Sequence, residues 1–162
     1  MVRIALEWQE SFSVAPSITT AISEYDVAVR FLGMEPVEYA KLCQGKTAVQ
    51  RHVDIVDRHG ISFQVKANRP SGGPGSEPTI TSAKPSNLNC LWNGLFWVLY
   101  HMDYSIRECW FFAPGEFSKA FEGQKYVRPA RIRQTGHDLT HTEPGAAYRY
   151  LHPAVKKRHN LI

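Results

Sequence analysis

The chain has 162 residues, of which 43% are hydrophobic, so it is large and apolar enough to bury the core of one domain, or of one domain with a tail. It has no run of 18 apolar residues, and its first residues carry acids where a secretory signal would be apolar, so neither a membrane-spanning helix nor export is expected. Its three cysteines lack the spacing of a metal site and are interpreted as reduced thiols, which predicts a cytoplasmic protein.

The net charge of +4 is concentrated near the end of the sequence. Residues 124–162 carry eight Lys and Arg against two Asp and Glu, with three tyrosines among them. A basic segment that contains aromatic residues suits a polyanion such as nucleic acid. A loosely ordered, solvated tail has the same composition and is the alternative.

The first predicted elements are helical. An apolar stripe at helical spacing predicts a helix over residues 16–32, which Pro16 begins and Gly33 ends. The run PVEYAKLC, within residues 34–50, indicates a second, short helix. A hairpin follows over residues 52–72, and a segment rich in Gly and Pro over residues 69–78 predicts a loop.

The later elements are mainly strands. TITSA predicts a short strand over residues 79–83, and the aromatic-rich segments 90–102 and 104–112 predict two more, the first of them nearly all buried. Residues 114–123 begin with Pro and end with Gly, as a short helix does. The order of these elements predicts an α/β sandwich with a mixed central sheet.

The hairpin has a defined geometry. The residues on either side of Arg58-His59-Gly60 suit strands, and a three-residue loop that ends in Gly is a common hairpin connection. With that loop, Asp54 lies opposite Gln64, and directly opposed residues share one face of the sheet. Lys66 points to the same side because side chains alternate along a strand. The hairpin therefore predicts a carboxylate, an amide oxygen and an ammonium group on one face, which together can hold a divalent cation and act on a phosphodiester.

The run VDIVDRHGISFQVK resembles the core motif of the PD-(D/E)XK nuclease superfamily, the fold of many type II restriction endonucleases. Asp54 matches the first acid of that motif, and Gln64-Val65-Lys66 matches its acid-x-Lys triplet, with Gln in place of Glu or Asp. The resemblance covers roughly residues 18–139. It implies a restriction-endonuclease-like sandwich, with helices flanking the mixed sheet, over residues 1–139, and a basic C-terminal extension over residues 140–162.

The resemblance also implies an activity, the Mg²⁺-dependent hydrolysis of DNA, with Mn²⁺ as a substitute for Mg²⁺. Asp54, Gln64 and Lys66 would be catalytic together with Glu24, which matches the helical Glu of many family members. Asp54, Glu24 and Gln64 would bind the metal. An amide oxygen can coordinate Mg²⁺ but brings no charge, so Glu24 would have to supply the second carboxylate.

The expected partner is double-stranded DNA. Arg69 and Ser71 in the Gly-rich loop, with Arg131 and Arg133 in the basic segment, are the predicted DNA contacts, because glycines allow a close approach to phosphates. A flexible surface loop is the alternative at residues 69 and 71. Symmetric cutting of both strands needs two active sites, which a homodimer would supply.

Three other functions remain open from the sequence. Gln64 also suits a nuclease fold that has lost cleavage and serves as a nucleic-acid-binding or assembly module. An RNA-directed or structure-specific nuclease is the second alternative, and a toxin-immunity or scaffolding protein is the third. A zinc site at His137 and His141 would need a third ligand, which the sequence does not supply.

Overall fold

The computed structural model describes Arg3 and residues 19–45, 53–70 and 91–162. Within these ranges the chain is an α/β protein with a five-stranded mixed sheet and several helices, as the element order predicts. The predicted strand at residues 79–83 lies outside the described residues.

The strands lie across the sheet in chain order: β1 (Ile55–Val56), β2 (Ser62–Asn68), β3 (Gly94–Tyr100), β4 (Ile106–Phe112) and β5 (His137–Asp138). The α-helices are α1 (Thr19–Asp26), α2 (Pro36–Gly45), α3 (Pro114–Ala120), α4 (Pro129–Thr135) and α5 (Pro153–Arg158). A π-helical turn (Val27–Phe31) continues α1, and a 3₁₀ helix (Ala146–Tyr150) precedes α5. Across the described residues, every helix is too short or too polar to traverse a bilayer.

The sheet is mixed because one of its strand pairs is parallel. β2 pairs with β3 in the parallel direction, whereas the other neighbouring strands are antiparallel. All seven residues of β3 are buried, which agrees with the apolar run from which that strand is predicted. A strand buried on both faces needs a covering layer on each side of the sheet.

Two apolar clusters provide those layers. The first contains Phe63, Val65 and Phe96, and α1, the π-helical turn and the 3₁₀ helix contribute residues to it. The second contains Leu95 and Trp97, and α3 and α4 contribute to it. Because successive residues of β3 enter different clusters, with Leu95 and Trp97 in the second and Phe96 in the first, the clusters lie on opposite faces of the sheet. The face of the second cluster is also the face of Gln64 and Lys66.

The first helix ends where the sequence predicts, but its last part changes geometry. Gly33 has a φ of +69°, the left-handed conformation that glycine adopts without strain. Before it, the Leu32 N–H donates to the Val27 carbonyl at 2.9 Å, a bond that spans five residues and widens the helix. The predicted helix over residues 16–32 is therefore an α-helix followed by a π-helical turn in its described part.

The basic C-terminal segment has more structure than its weak periodicity indicates. It contains α4, β5, the 3₁₀ helix and α5. Ala146, Ala147 and Leu151 are buried in the first cluster, and Val155 and Leu161 pack against it. Residues 140–162 therefore pack onto the core, and the division of the chain at residue 139 stays a prediction.

Candidate functional site

The hairpin has the register that its loop predicts. Ile55 pairs with Phe63, so Asp54, which directly precedes β1, lies opposite Gln64. Gly60 has a φ of +75°, and the Asp57 N–H donates to the Ile61 carbonyl at 3.0 Å. A left-handed glycine closes the three-residue loop and fixes this register.

Asp54 and Gln64 are in direct contact. The Gln64 Nε2 group donates to Asp54 Oδ2, and the Val65 backbone N–H donates to the same oxygen at 2.7 Å. Two donors on one oxygen fix the orientation of the carboxylate. They also fix the Gln64 amide, because turning it over would aim its oxygen at a carboxylate oxygen.

The amide oxygen of Gln64 is the most unusual atom of the site. Gln64 is 3% exposed, and its Oε1 is buried without a hydrogen-bond partner among the described residues, a state it shares with the Trp92 indole nitrogen. A buried carbonyl oxygen without a donor or a cation costs about 1–3 kcal/mol. Such an atom beside a carboxylate is an oxygen ligand in position for a hard cation.

Lys66 lies on the same face as Gln64, two residues further along β2. It is half-buried and pairs with Trp97 of β3. Its ammonium group makes no ion pair or hydrogen bond with the residues that the structure describes. The Lys66 ammonium is therefore a cation whose charge the described part of the chain leaves uncompensated.

Glu24 belongs to α1, which packs on the face of the sheet opposite to that of Gln64 and Lys66. Both Glu24 and Asp54 influence the phenol of Tyr39. Burial raises the pKa of Tyr39, a hydrogen bond to Cys43 raises it further, and the carboxylates of Glu24 and Asp54 add to the shift. Both carboxylates therefore lie within Coulombic reach of one phenol. Glu24 as a ligand beside the Asp54–Gln64 pair stays a prediction.

The acids of the site are nevertheless few. Within the described ranges, no group of three or more His, Cys, Asp or Glu side chains is arranged to hold a metal ion. The predicted metal ligands are thus two carboxylates and a neutral amide. The same observation leaves the zinc alternative at His137 and His141 without support.

The predicted DNA-contacting arginines have partners inside the protein. Arg69 donates through Nε to the Met102 carbonyl at 2.7 Å, and its guanidinium lies 4.5 Å from the ring centroid of Tyr104. Arg131 and Arg133 also have internal acceptors: Nε of Arg131 donates to the Ala120 carbonyl at 2.9 Å, and Arg133 contacts both carboxylate oxygens of Glu108 at 2.9 and 2.7 Å. Ser71 lies outside the described residues. Contact with DNA stays a prediction for all four residues.

Two buried carboxylates outside the predicted metal site accept bonds from tyrosines. Asp57 accepts the Tyr148 hydroxyl at 2.6 Å, and Asp26 accepts the Tyr100 hydroxyl at 2.8 Å. Burial raises the pKa of Asp26, although Tyr100 and Arg30 oppose the shift. The sequence predicts a structural role for Asp57 near the turn, but it does not predict either tyrosine as a partner. Tyr148 is 91 positions from Asp57, and Tyr100 is 74 positions from Asp26.

Comparison with known proteins adds no relative. No protein-family model matches the chain, and no similar curated protein was found. The arrangement of Asp54, Gln64 and Lys66 is therefore the basis on which a function is inferred.

Proposed function

We propose that this protein is a metal-dependent endonuclease that hydrolyses DNA phosphodiester bonds, with a restriction-endonuclease-like sandwich as its fold. The observation that carries the proposal is the hydrogen bond between Gln64 and Asp54. The Oε1 atom of Gln64 has no hydrogen-bond partner among the described residues, and the side chain of Gln64 lies on the same face of the sheet as that of Lys66. The mixed sheet with helices on both faces supports the proposed fold.

The donor set suits Mg²⁺, with Mn²⁺ as a substitute. Asp54 and Gln64 offer oxygen atoms, the ligands that Mg²⁺ prefers, and Glu24 would be the second carboxylate. The buried Gln64 Oε1 is the strongest support, because a cation would satisfy it. When bound, the metal supplies a Lewis acid for the scissile phosphate and lowers the pKa of the attacking water.

The protein's own groups have separate tasks in this proposal. The Val65 N–H and the Gln64 amide hold the Asp54 carboxylate in one orientation, so the ligand is preorganised. Lys66 would orient the attacking water and stabilise the charge that develops on the phosphate. A positioned cation in a partly buried site does this well, because the local dielectric is lower than that of water.

We propose double-stranded DNA as the substrate and a homodimer as the cutting species. Eight Lys and Arg in residues 124–162, of which Lys157 and Arg158 are exposed on α5, support a polyanionic partner. Two copies of the chain would supply the two sites that a symmetric double-strand cut requires.

The decisive experiment is plasmid cleavage by Lys66→Ala in Mg²⁺ and in Mn²⁺. We expect the cleavage rate to fall about 100-fold or more, which is the usual cost of losing one group that stabilises transition-state charge. Lys125→Ala is the matched control, because Lys125 is exposed and its ammonium lies 5.3 Å from the ring centroid of Tyr126 instead of near the site. Thermal melting of both variants separates a lost catalytic group from a lost fold. Cleavage by Lys66→Ala at the rate of the unaltered protein would contradict the assignment.

A second variant tests the metal site directly. Gln64→Glu restores the acid of the family triplet and adds a negative charge beside Asp54. We expect the Mg²⁺ concentration for half-maximal cleavage to decrease, because the cation would then meet one more carboxylate. An unchanged Mg²⁺ dependence would show that residue 64 is not a ligand.

The second candidate function is a nuclease fold that binds nucleic acid or assists assembly without cutting. It is favoured because Asp54 Oδ2 already accepts two hydrogen bonds and the described residues contain no three-acid group. Salt-dependent DNA binding without cleavage in Mg²⁺ or Mn²⁺ would support it. Replacing the plasmid with RNA and with branched DNA in the same assay distinguishes the nuclease alternatives.

A further inference from the structure

A separate cavity lies at the opposite edge of the sheet from Asp54. Its volume is about 340 Å³, and it is lined by α3, α4 and β5 through Glu116, Lys119, Ala120, Arg131, Thr135 and His137. Ligand-binding cavities commonly have volumes of about 300–1,000 Å³. The cavity is therefore large enough for a small organic molecule.

One wall of the cavity is an imidazole held in a fixed orientation. His137 Nε2 lies 3.0 Å from each carboxylate oxygen of Glu116, and its ring stacks on Tyr150 with a centroid distance of 3.9 Å. In the neutral imidazole, a carboxylate at Nε2 favours the tautomer that carries its proton there, which leaves the lone pair on Nδ1. Nδ1 has no hydrogen-bond partner in the part of the chain that the structure describes. In that tautomer Nδ1 is an oriented acceptor for a donor group on a ligand.

The other polar walls carry positive charge. Arg131 donates one N–H to the Ala120 carbonyl and another to Gln134 Oε1 at 3.4 Å, and these two bonds hold its guanidinium in one orientation. The other N–H groups of the guanidinium are available to a ligand. Lys119, in the last turn of α3, is exposed and makes no ion pair with the described residues. A braced guanidinium loses less entropy when it binds an anion than a free one does.

The one acid of the cavity does not cancel this charge. The Glu116 carboxylate accepts the Ala113 N–H at 3.0 Å in the capping box of α3, and both of its oxygens face His137. Its negative charge is thus directed at the helix start and the imidazole. The positive charges of Arg131 and Lys119 are therefore available to an anionic group that would lie between them.

We propose that this cavity binds a small phosphate monoester that also carries a hydroxyl group, such as a nucleoside monophosphate or a sugar phosphate. The phosphate would lie between Arg131 and Lys119, because its charge of about −1.5 to −2 at neutral pH matches two cations. A ligand hydroxyl would donate to His137 Nδ1. The inference does not rest on the proposed nuclease function, since the cavity shares no residue with the Asp54–Gln64–Lys66 site, although Arg131, a predicted DNA contact, lines it.

The first test is calorimetric titration of the full chain with adenosine 5′-monophosphate, ribose 5-phosphate, inorganic phosphate and adenosine. We expect saturable binding of at least one monoester, roughly tenfold or more tighter than that of inorganic phosphate, which lacks the additional hydroxyl contact. Adenosine should bind more weakly than the monoesters. Equal binding of adenosine, equal binding of inorganic phosphate, or no saturable binding of either monoester would overturn the proposal.

The second test assigns the residues. Arg131→Gln should weaken monoester binding roughly tenfold or more, because it removes a charge-assisted hydrogen bond. Arg149→Gln is the matched control, since Arg149 is exposed and pairs with Glu143 outside the cavity. If Arg131→Gln melts at a much lower temperature, Lys119→Ala replaces it, because an exposed Lys without a described partner contributes little to folding. Unchanged affinity in a folded variant would overturn the assignment.

A third readout follows the imidazole itself. In ¹⁵N NMR spectra, the Nδ1 resonance of His137 should shift on saturation with the monoester, while the resonances of His101, an exposed residue outside the cavity, should not. A phosphate contact made elsewhere on the protein would leave the His137 resonance unchanged and would contradict the proposed site.

Discussion

The bond from Tyr148 to Asp57 gives the sharpest stability prediction, because it joins the C-terminal segment to the hairpin. The Tyr148 hydroxyl donates to Asp57 Oδ2 at 2.6 Å, while the Asp57 Oδ1 accepts the N–H groups of His59 and Ile61 at 2.9 and 2.8 Å. Asp57 is 4% exposed, so water cannot readily replace the hydroxyl. Tyr148→Phe keeps the ring, which packs against Phe63 with centroids 6.3 Å apart, and removes only this bond.

The expected loss follows from these contacts. A hydrogen bond to a charged group contributes about 1.5–3 kcal/mol to the free energy of unfolding. At ~2.1 cal/mol/K per residue, the unfolding of 162 residues has an entropy of ~0.34 kcal/mol/K near the melting temperature. Tyr148→Phe should therefore lower the melting temperature by about 4–9 °C.

Thermal melting by circular dichroism and urea unfolding would measure the change. Tyr126→Phe is the matched control, because Tyr126 is 37% exposed and loses the same atom at the surface. A double-mutant cycle with Asp57→Asn should show a coupling energy of about 1 kcal/mol or more if the two groups stabilise the fold together. Equal melting temperatures for the two Tyr→Phe variants would refute this reasoning.

Two further predictions concern packing and pH. Gly94→Ala should destabilise the protein by about 1–3 kcal/mol, because the new Cβ would lie 2.5 Å from ring atoms of Phe111. Gly115→Ala is the control, because its Cβ would meet no atom within 4 Å, and it should melt no lower than the unaltered chain. The hydrogen bond with Arg133 holds the pKa of Glu108 below its usual 4.5 although burial opposes it, so the folded state binds fewer protons than the unfolded state near that pH. Stability from this pair is present above about pH 4.5 and is lost as the pH falls through the folded-state pKa, so Glu108→Gln should reduce the free energy of unfolding more at pH 7 than at pH 3. Equal losses at the two pH values, measured by urea unfolding, would contradict the role of the ion pair.

The candidate site divides into a part that local sequence predicts and a part that it does not. The pairing of Asp54 with Gln64 is confirmed because one short loop with a left-handed Gly60 sets it. The position of Glu24 relative to Asp54 depends on how α1 packs against the sheet, which no local pattern specifies, so its role as a ligand stays a prediction. The hydrogen-bond acceptors of the arginines are also set by tertiary structure, because Arg69 bonds to Met102 across 33 positions and Arg133 bonds to Glu108 across 25. The charge composition of a segment carries no information about such distant acceptors.

The sequence by itself determined the hairpin register, the buried strand at residues 94–100, and the helices that begin at Pro36 and Pro114, because turn residues, apolar runs and proline act over a few neighbouring positions. Tertiary structure alone decided that β2 and β3 run parallel, that β5 joins the sheet, and that residues 146–151 fill the first cluster. These outcomes depend on which buried surfaces meet after distant segments come together. The free energy of burying apolar area is non-directional, so it leaves no periodic trace in the segments that it joins.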